Sequence, residues 1–79
     1  MKAQVHVRLK KSVLDPQGKA IQNSLNALGF GDVASVRQGK VFDVELKTDD
    51  HAKAQELLKK VSEKLLANTV IEDFEVTLL

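Results

Sequence analysis

The sequence predicts an α+β fold, a βαββαβ two-layer sandwich with one antiparallel sheet and both helices on one face, ferredoxin-like or close to it. Three observations carry that expectation. Residues 3–10 alternate apolar and polar with a period of two. Two stretches with helical apolar spacing follow, each opened by Asp. A faint internal repeat relates the halves: Val7-Arg8-Leu9-Lys10 resembles Val44-Glu45-Leu46-Lys47, and the same offset carries Ile21 to Leu58, Leu28 to Leu65 and Val33 to Val70.

In the first strand Ala3, Val5, Val7 and Leu9 share one face and Gln4, His6, Arg8 and Lys10 the other, the pattern of a half-buried strand. Asp15-Pro16 marks a helix start, because Asp accepts a hydrogen bond from a free first-turn N–H and Pro at the first helical position loses none. Ile21, Leu25 and Leu28 form a narrow apolar stripe, interrupted at its edge by Ser24. Gly29 stands where a left-handed residue closes a helix. Residues 33–37 and 41–47 read as two strands of a hairpin around Gln38-Gly39-Lys40, with Phe42, Val44 and Leu46 on one face. Thr48-Asp49-Asp50 opens the second helix, whose expected apolar positions are Ala54, Leu57, Leu58, Val61, Leu65 and Leu66, with Asn68 as its left-handed end. Residues 70–79 read as the last strand, with Phe74, Val76 and Leu78 inward.

The 79 residues imply one domain spanning 1–79. A chain this short builds a small core. With no Cys there is neither a disulfide nor a thiolate metal site to reinforce it. Association is the remaining common reinforcement, so a dimer or larger assembly is expected. Val76, Leu78 and Leu79 are candidates for its interface or the core beneath. Twelve basic and 11 acidic residues leave a net charge of +1, without the basic excess of a nucleic-acid binder. Only three aromatics exist, and Phe42 and Phe74 fall on the inward face, so no RNA-stacking platform is expected. No apolar run is long enough for a membrane helix, and the N-terminus lacks a signal-peptide pattern, which fits a cytoplasmic protein.

Candidate chemistry is sparse. His6 and His51 have no second His or Cys at ligand spacing and read as solvated or interface residues. Asp49-Asp50 is read as helix capping, and Glu72-Asp73 as a solvated or interface pair. No catalytic, cofactor-binding or metal-binding residue is expected in this chain. Gly18, in a first helical turn, costs about 1 kcal/mol of helix propensity against Ala. A bare backbone there suits close approach by a phosphate or, preferably, by packed backbone or a partner. Were Gly18 simply a helical position, Leu in its place would hold or raise stability.

Val13-Leu14-Asp15-Pro16-Gln17-Gly18, Leu28-Gly29-Phe30, Val36-Arg37-Gln38-Gly39-Lys40 and Leu65-Leu66-Ala67-Asn68-Thr69-Val70-Ile71-Glu72-Asp73-Phe74 occur in the order and spacing of the PurS family, the small subunit of phosphoribosylformylglycinamidine synthase. The chain resembles that family over essentially its whole length. It departs at Thr69, where the family often has Pro, and at Phe74, where it often has Tyr. The resemblance implies a non-catalytic bridging subunit in de novo purine biosynthesis. Such a subunit dimerises and joins a glutaminase subunit, which releases ammonia, to a large synthetase subunit, which uses ATP and Mg to activate the substrate amide. It implies no cofactor in this chain. Asp15, Pro16, Gln17, Gly18, Arg37, Gly39 and Lys40 are the candidate partner contacts. The alternative is a free-standing ferredoxin-like module that regulates or binds a small ligand, for which the Gly18 turn would serve.

Overall fold

A computed structural model describes residues 1–79. The elements are β1 (Lys2–Leu9), α1 (Pro16–Ala27), β2 (Gly39–Glu45), α2 (His51–Val61), a π-helical turn (Ser62–Leu66) and β3 (Glu72–Leu78). The three strands form one antiparallel sheet in the order β2-β1-β3. The α+β class, the antiparallel sheet and the two helices agree with the sequence.

The alternation in β1 sets the core. Ala3, Val5 and Val7 are buried, and Val5 lies opposite Phe42 on one side and Val76 on the other. Leu58 of α2 and Ala67 close over these residues, with Phe42, Val44, Leu46, Leu66, Phe74, Val76 and Leu78 packed around them. Asp50 caps α2 by accepting from the Ala52 and Lys53 N–H groups at 3.0 and 3.2 Å. Gly29 has φ 95°, and the Gly29 and Phe30 N–H groups donate back to Asn26 and Leu25, closing α1 in a Schellman arrangement.

Four expectations are corrected. Residues 33–37 are not a strand and no hairpin forms around Gln38-Gly39-Lys40; the chain passes through 33–38 without turn or ladder and enters β2 directly. Asn68 is not left-handed, since Gly29 alone has positive φ. Ala67 leaves the helix extended (φ −124°, ψ 142°), and the Asn68 side chain accepts from the Val70 N–H in a local turn. Leu65 is 81% exposed and Leu57 is also exposed, so neither faces the core. The last strand starts at Glu72, with Val70 exposed in the turn before it.

Helix α1 differs from α2 in its surroundings. It makes little contact with the sheet, and Gly18 is its one buried residue. Ile21 and Leu28 remain exposed and Leu25 only half-buried. The molecule is correspondingly long and thin, 48 × 25 × 14 Å.

Candidate functional site

The motif residues that the sequence places in two separate turns meet at a single junction between α1 and β2. Asp15 is 6% exposed and is its centre. One carboxylate oxygen accepts from the Gly18 N–H at 3.0 Å, capping α1. The other accepts from the Gln38 N–H at 2.6 Å, just before β2 begins. The Arg37 guanidinium donates to the carbonyls of Lys10 and Val13 at 3.0 and 2.8 Å, fastening the β1–α1 loop to the same point.

Gly18 shows why that junction tolerates no side chain. A Cβ there would lie 2.2 Å from the Val36 carbonyl oxygen and 2.7 Å from an Asp15 carboxylate oxygen. The close backbone approach expected at Gly18 therefore comes from this chain itself. The expectation that Leu would be harmless is overturned by that contact. A Cβ on Gly39 would likewise meet the Val7 carbonyl oxygen at 2.9 Å. Pro16, Gln17, Arg37 and Lys40 are exposed around this packed centre.

The Asp15 carboxyl is held below its ordinary value of 3.8 by the Gly18 N–H first, then the Gln38 N–H, with the Arg37 charge adding to them and desolvation opposing. A depressed folded-state pKa stabilises the fold above the unfolded value, and that contribution is lost as pH falls through the folded-state value. We therefore expect the thermal midpoints of the wild type and Asp15→Asn to converge as pH falls below 3.8, having differed most near neutrality. Midpoints measured from pH 7 to 2 check this; a constant gap would assign the effect of the substitution to shape alone.

Sequence reasoning missed three contributors. Gln22, one turn beyond Gly18 on α1, donates its side-chain amide to the Ala34 carbonyl at 2.7 Å and so holds the 33–38 segment along the helix. Glu72 accepts from the Asn68 N–H at 2.8 Å and lies 3.7 Å from Lys40, tying the start of β3 to β2. His6, Arg8, Lys11, Arg37 and Lys40 line an open cleft of about 350 Å³ beside the junction. Alternation in β1 signals the first two of these, whereas Lys11 and Arg37 reach the cleft only through the loop geometry. Asp49 is fully exposed, 3.9 Å from the N-terminal amine, so its ion pair adds little. No group of three or more His, Cys, Asp or Glu is placed to hold a metal ion. No helix is long and apolar enough to cross a membrane.

Comparison with known proteins gives one family. The family model for PurS, phosphoribosylformylglycinamidine (FGAM) synthase, matches residues 2–79. The PurS subunit of Mycobacterium leprae is 49% identical, the match covering 96% of this chain and 92% of that protein. The Bacillus subtilis subunit is 47% identical, over 92% of this chain and 86% of that one. Among solved structures, PurS of Methanocaldococcus jannaschii, described as one of the subunits of formylglycinamide ribonucleotide amidotransferase, superposes with a TM-score of 0.87 at 42% identity, covering 96% of this chain and 92% of that one. A chain in the structure of PurLQS from Thermotoga maritima superposes with a TM-score of 0.89 at 35% identity, covering 99% and 95%.

Proposed function

The chain belongs to the PurS family of phosphoribosylformylglycinamidine synthase subunits, and from that membership we propose that it is the non-catalytic bridge of the complex, associating with itself and joining the synthetase subunit to the glutaminase subunit. The observation that carries this reading is the distribution of apolar surface. Ile21, Leu28 and Phe30 are 42%, 72% and 58% exposed on and just after α1, although the helix has an apolar stripe of the kind that packs on another surface. Both outer strands of the sheet are also open edges, which ordinarily pair or are covered. Such a chain supplies binding surface. The reacting groups for amide activation and glutamine hydrolysis then belong to the other two subunits, and ammonia passes between them within the assembly.

The exposed residues of the junction, Pro16, Gln17, Arg37 and Lys40, are the members of the motif available to a partner subunit; Asp15, Gly18 and Gly39 hold the backbone that presents them. The test is reconstitution. The isolated chain is expected to turn over neither glutamine nor ATP. Added to the synthetase and glutaminase subunits, it is expected to co-elute with both and to restore glutamine-dependent synthesis, while synthesis from added ammonia depends on it less. Turnover by the pure chain that survives repeated purification overturns the reading. So does a fully active glutamine-dependent complex that assembles without it.

A further inference from the structure

The charges of this chain are unevenly placed. Its net charge is only +1, yet the cleft beside the junction is lined by four of the 12 basic residues, Arg8, Lys11, Arg37 and Lys40, and by none of the 11 acidic ones. His6 completes its polar lining. His6 and Arg8 stand on the face of β1 opposite to the buried Val5 and Val7, across from Val41 and Gly39 of β2. Gly39 leaves the space in front of Arg8 uncovered. It has no side chain, and a Cβ there would already meet the Val7 carbonyl oxygen at 2.9 Å and the Arg8 Cβ at 3.4 Å. Bare backbone therefore lies between the cations.

Arg37 is the fixed member of the group. Its Nη2 donates to the carbonyls of Lys10 and Val13, which holds the guanidinium against the loop that carries Lys11. Its Nε–H and Nη1 hydrogens have no acceptor in the chain. The side chains of His6 and Lys11 make neither a hydrogen bond nor an ion pair. Arg8 lies 3.6 Å from Glu75, but both side chains are mostly exposed, 65% and 71%, so the pair is weak. Glu75 also belongs to β3, on the other side of β1 from the cleft. Lys40 is the exception, since its ammonium group is engaged by Glu72 at 3.7 Å and stands over the Phe42 ring. Three cations with unused donors, one of them held in place, thus share one open cleft with an imidazole. They repel one another until an anion lies between them.

We infer that this cleft binds a phosphate group, held by Arg8, Lys11 and Arg37 with His6 at its edge. A phosphate dianion suits three cations, whereas a single carboxylate would leave most of their charge unmatched. Guanidinium and ammonium donors also make strong charge-assisted bonds to phosphate oxygens. The volume of about 350 Å³ falls at the lower end of ligand-sized clefts, roughly 300–1,000 Å³. That leaves room for a small body attached to the phosphate, and Val41, 51% exposed, gives that body an apolar rim. Two sources share this chemistry, a sugar phosphate and free orthophosphate. A synthase that acts on a phosphoribosyl compound with ATP handles both; the source rests on the bridging role proposed above, whereas binding by the chain itself does not.

The test is a titration of the full chain at low salt, followed by proton–nitrogen correlation NMR. The probes are ribose phosphate (phosphorylated on its primary hydroxyl), orthophosphate and plain ribose. Saturable shifts are expected at the Arg37 Nε–H and at the amides of Lys11 and Gly39 for both phosphates, tighter for ribose phosphate, and none for ribose. Arg8→Gln/Lys11→Gln changes two exposed residues outside the buried cluster and is expected to weaken binding by about tenfold or more. Lys53→Gln/Lys59→Gln removes the same charge from exposed positions on α2 and is expected to leave binding unchanged. Equal affinity for the two phosphates supports the site and assigns free orthophosphate as its source. No saturable shift at millimolar phosphate, or an equal loss in the α2 variant, overturns it. If phosphate does not bind and the Arg8→Gln/Lys11→Gln chain fails to co-elute with the other subunits, the charges serve an acidic surface of a partner; the phosphate site then falls while the bridging role stands.

Discussion

Replacing Gly18 by Leu is expected to lower the thermal midpoint of the protein by about 12–24 °C, on the order of 3 kcal/mol in a domain of this size. The propensity argument points the other way, because Leu is the better helix former by less than about 1 kcal/mol. Sterics decide. A Cβ at position 18 would stand 2.2 Å from the Val36 carbonyl oxygen, which is backbone and cannot rotate aside. It would also press on the Asp15 carboxylate at 2.7 Å, the group that caps α1 and holds Gln38. Relief requires separating α1 from the 33–38 segment, and that loses the Asp15–Gln38 bond together with the Gln22–Ala34 bond. Chemical or thermal melts followed by circular dichroism check the loss. Gly18→Ala is expected to show the same effect in smaller measure, since it adds the offending Cβ alone. A Gly18→Leu protein as stable as wild type would show that the contact yields at little cost and that Gly18 is a helical position like its neighbours.

Function is expected to follow the junction. A Gly18→Leu chain that still folds presents Pro16, Gln17 and α1 at an altered angle to the sheet, so glutamine-dependent synthesis by the reconstituted complex falls. Lys40→Ala is the contrasting change. It removes an exposed charge 3.7 Å from Glu72 and leaves the backbone of the junction in place, so stability stays within about 0.5 kcal/mol.

Much of this architecture is legible in the residues because its signals are local. Val5 and Val7 alternate with His6 and Arg8, and a strand follows whatever surrounds it. Asp15 and Pro16 open α1 through bonds made within four residues, and Gly29 closes it. The failures have non-local causes. The apolar residues of 33–37 have the character of a strand but do not fix a neighbour for it, so a hairpin is the natural reading and an open segment is the outcome. Leu65 follows the 3.6-residue spacing of α2, yet the turn over 62–66 widens to a π-helix, with the Ala67 N–H donating to Ser62. Each residue of an α-helix advances roughly 100° around the axis, and a change of winding is enough to swing Leu65 out of the stripe. Motifs 13–18 and 36–40 each suggest a surface turn; only the Asp15 carboxylate reveals that they are two sides of one joint.

Charging the α1 stripe separates the fold of one copy from the assembly of two. In Ile21→Lys/Leu28→Lys both changes fall where the single chain leaves the side chain exposed, 42% and 72%. Neither removes a contact of the buried cluster formed by Ala3, Val5, Val7, Leu58 and Ala67. Lys is also as good a helix former as the residues it replaces, or better. The internal hydrogen bonds that hold α1, those of Asp15 and Gln22, are untouched. If the stripe is covered in the assembly, the loss is large. Burying an aliphatic side chain of this size contributes about 1.5–3 kcal/mol, so losing two in each copy, four per dimer, weakens association by upwards of roughly 10⁴-fold at 1.4 kcal/mol per decade, before any cost of placing an ammonium group against apolar surface. Sedimentation across a concentration series is expected to show a dimer for wild type and a shift toward monomer for the variant, with glutamine-dependent synthesis lost in parallel. Ile21→Leu/Leu28→Met, which keeps the apolar surface, is expected to assemble normally. A charged variant that dimerises as tightly as wild type would show that α1 faces water in the complex too, and the covering surface would have to be sought on the open face of the sheet, among His6, Val41, Asp43 and Glu75.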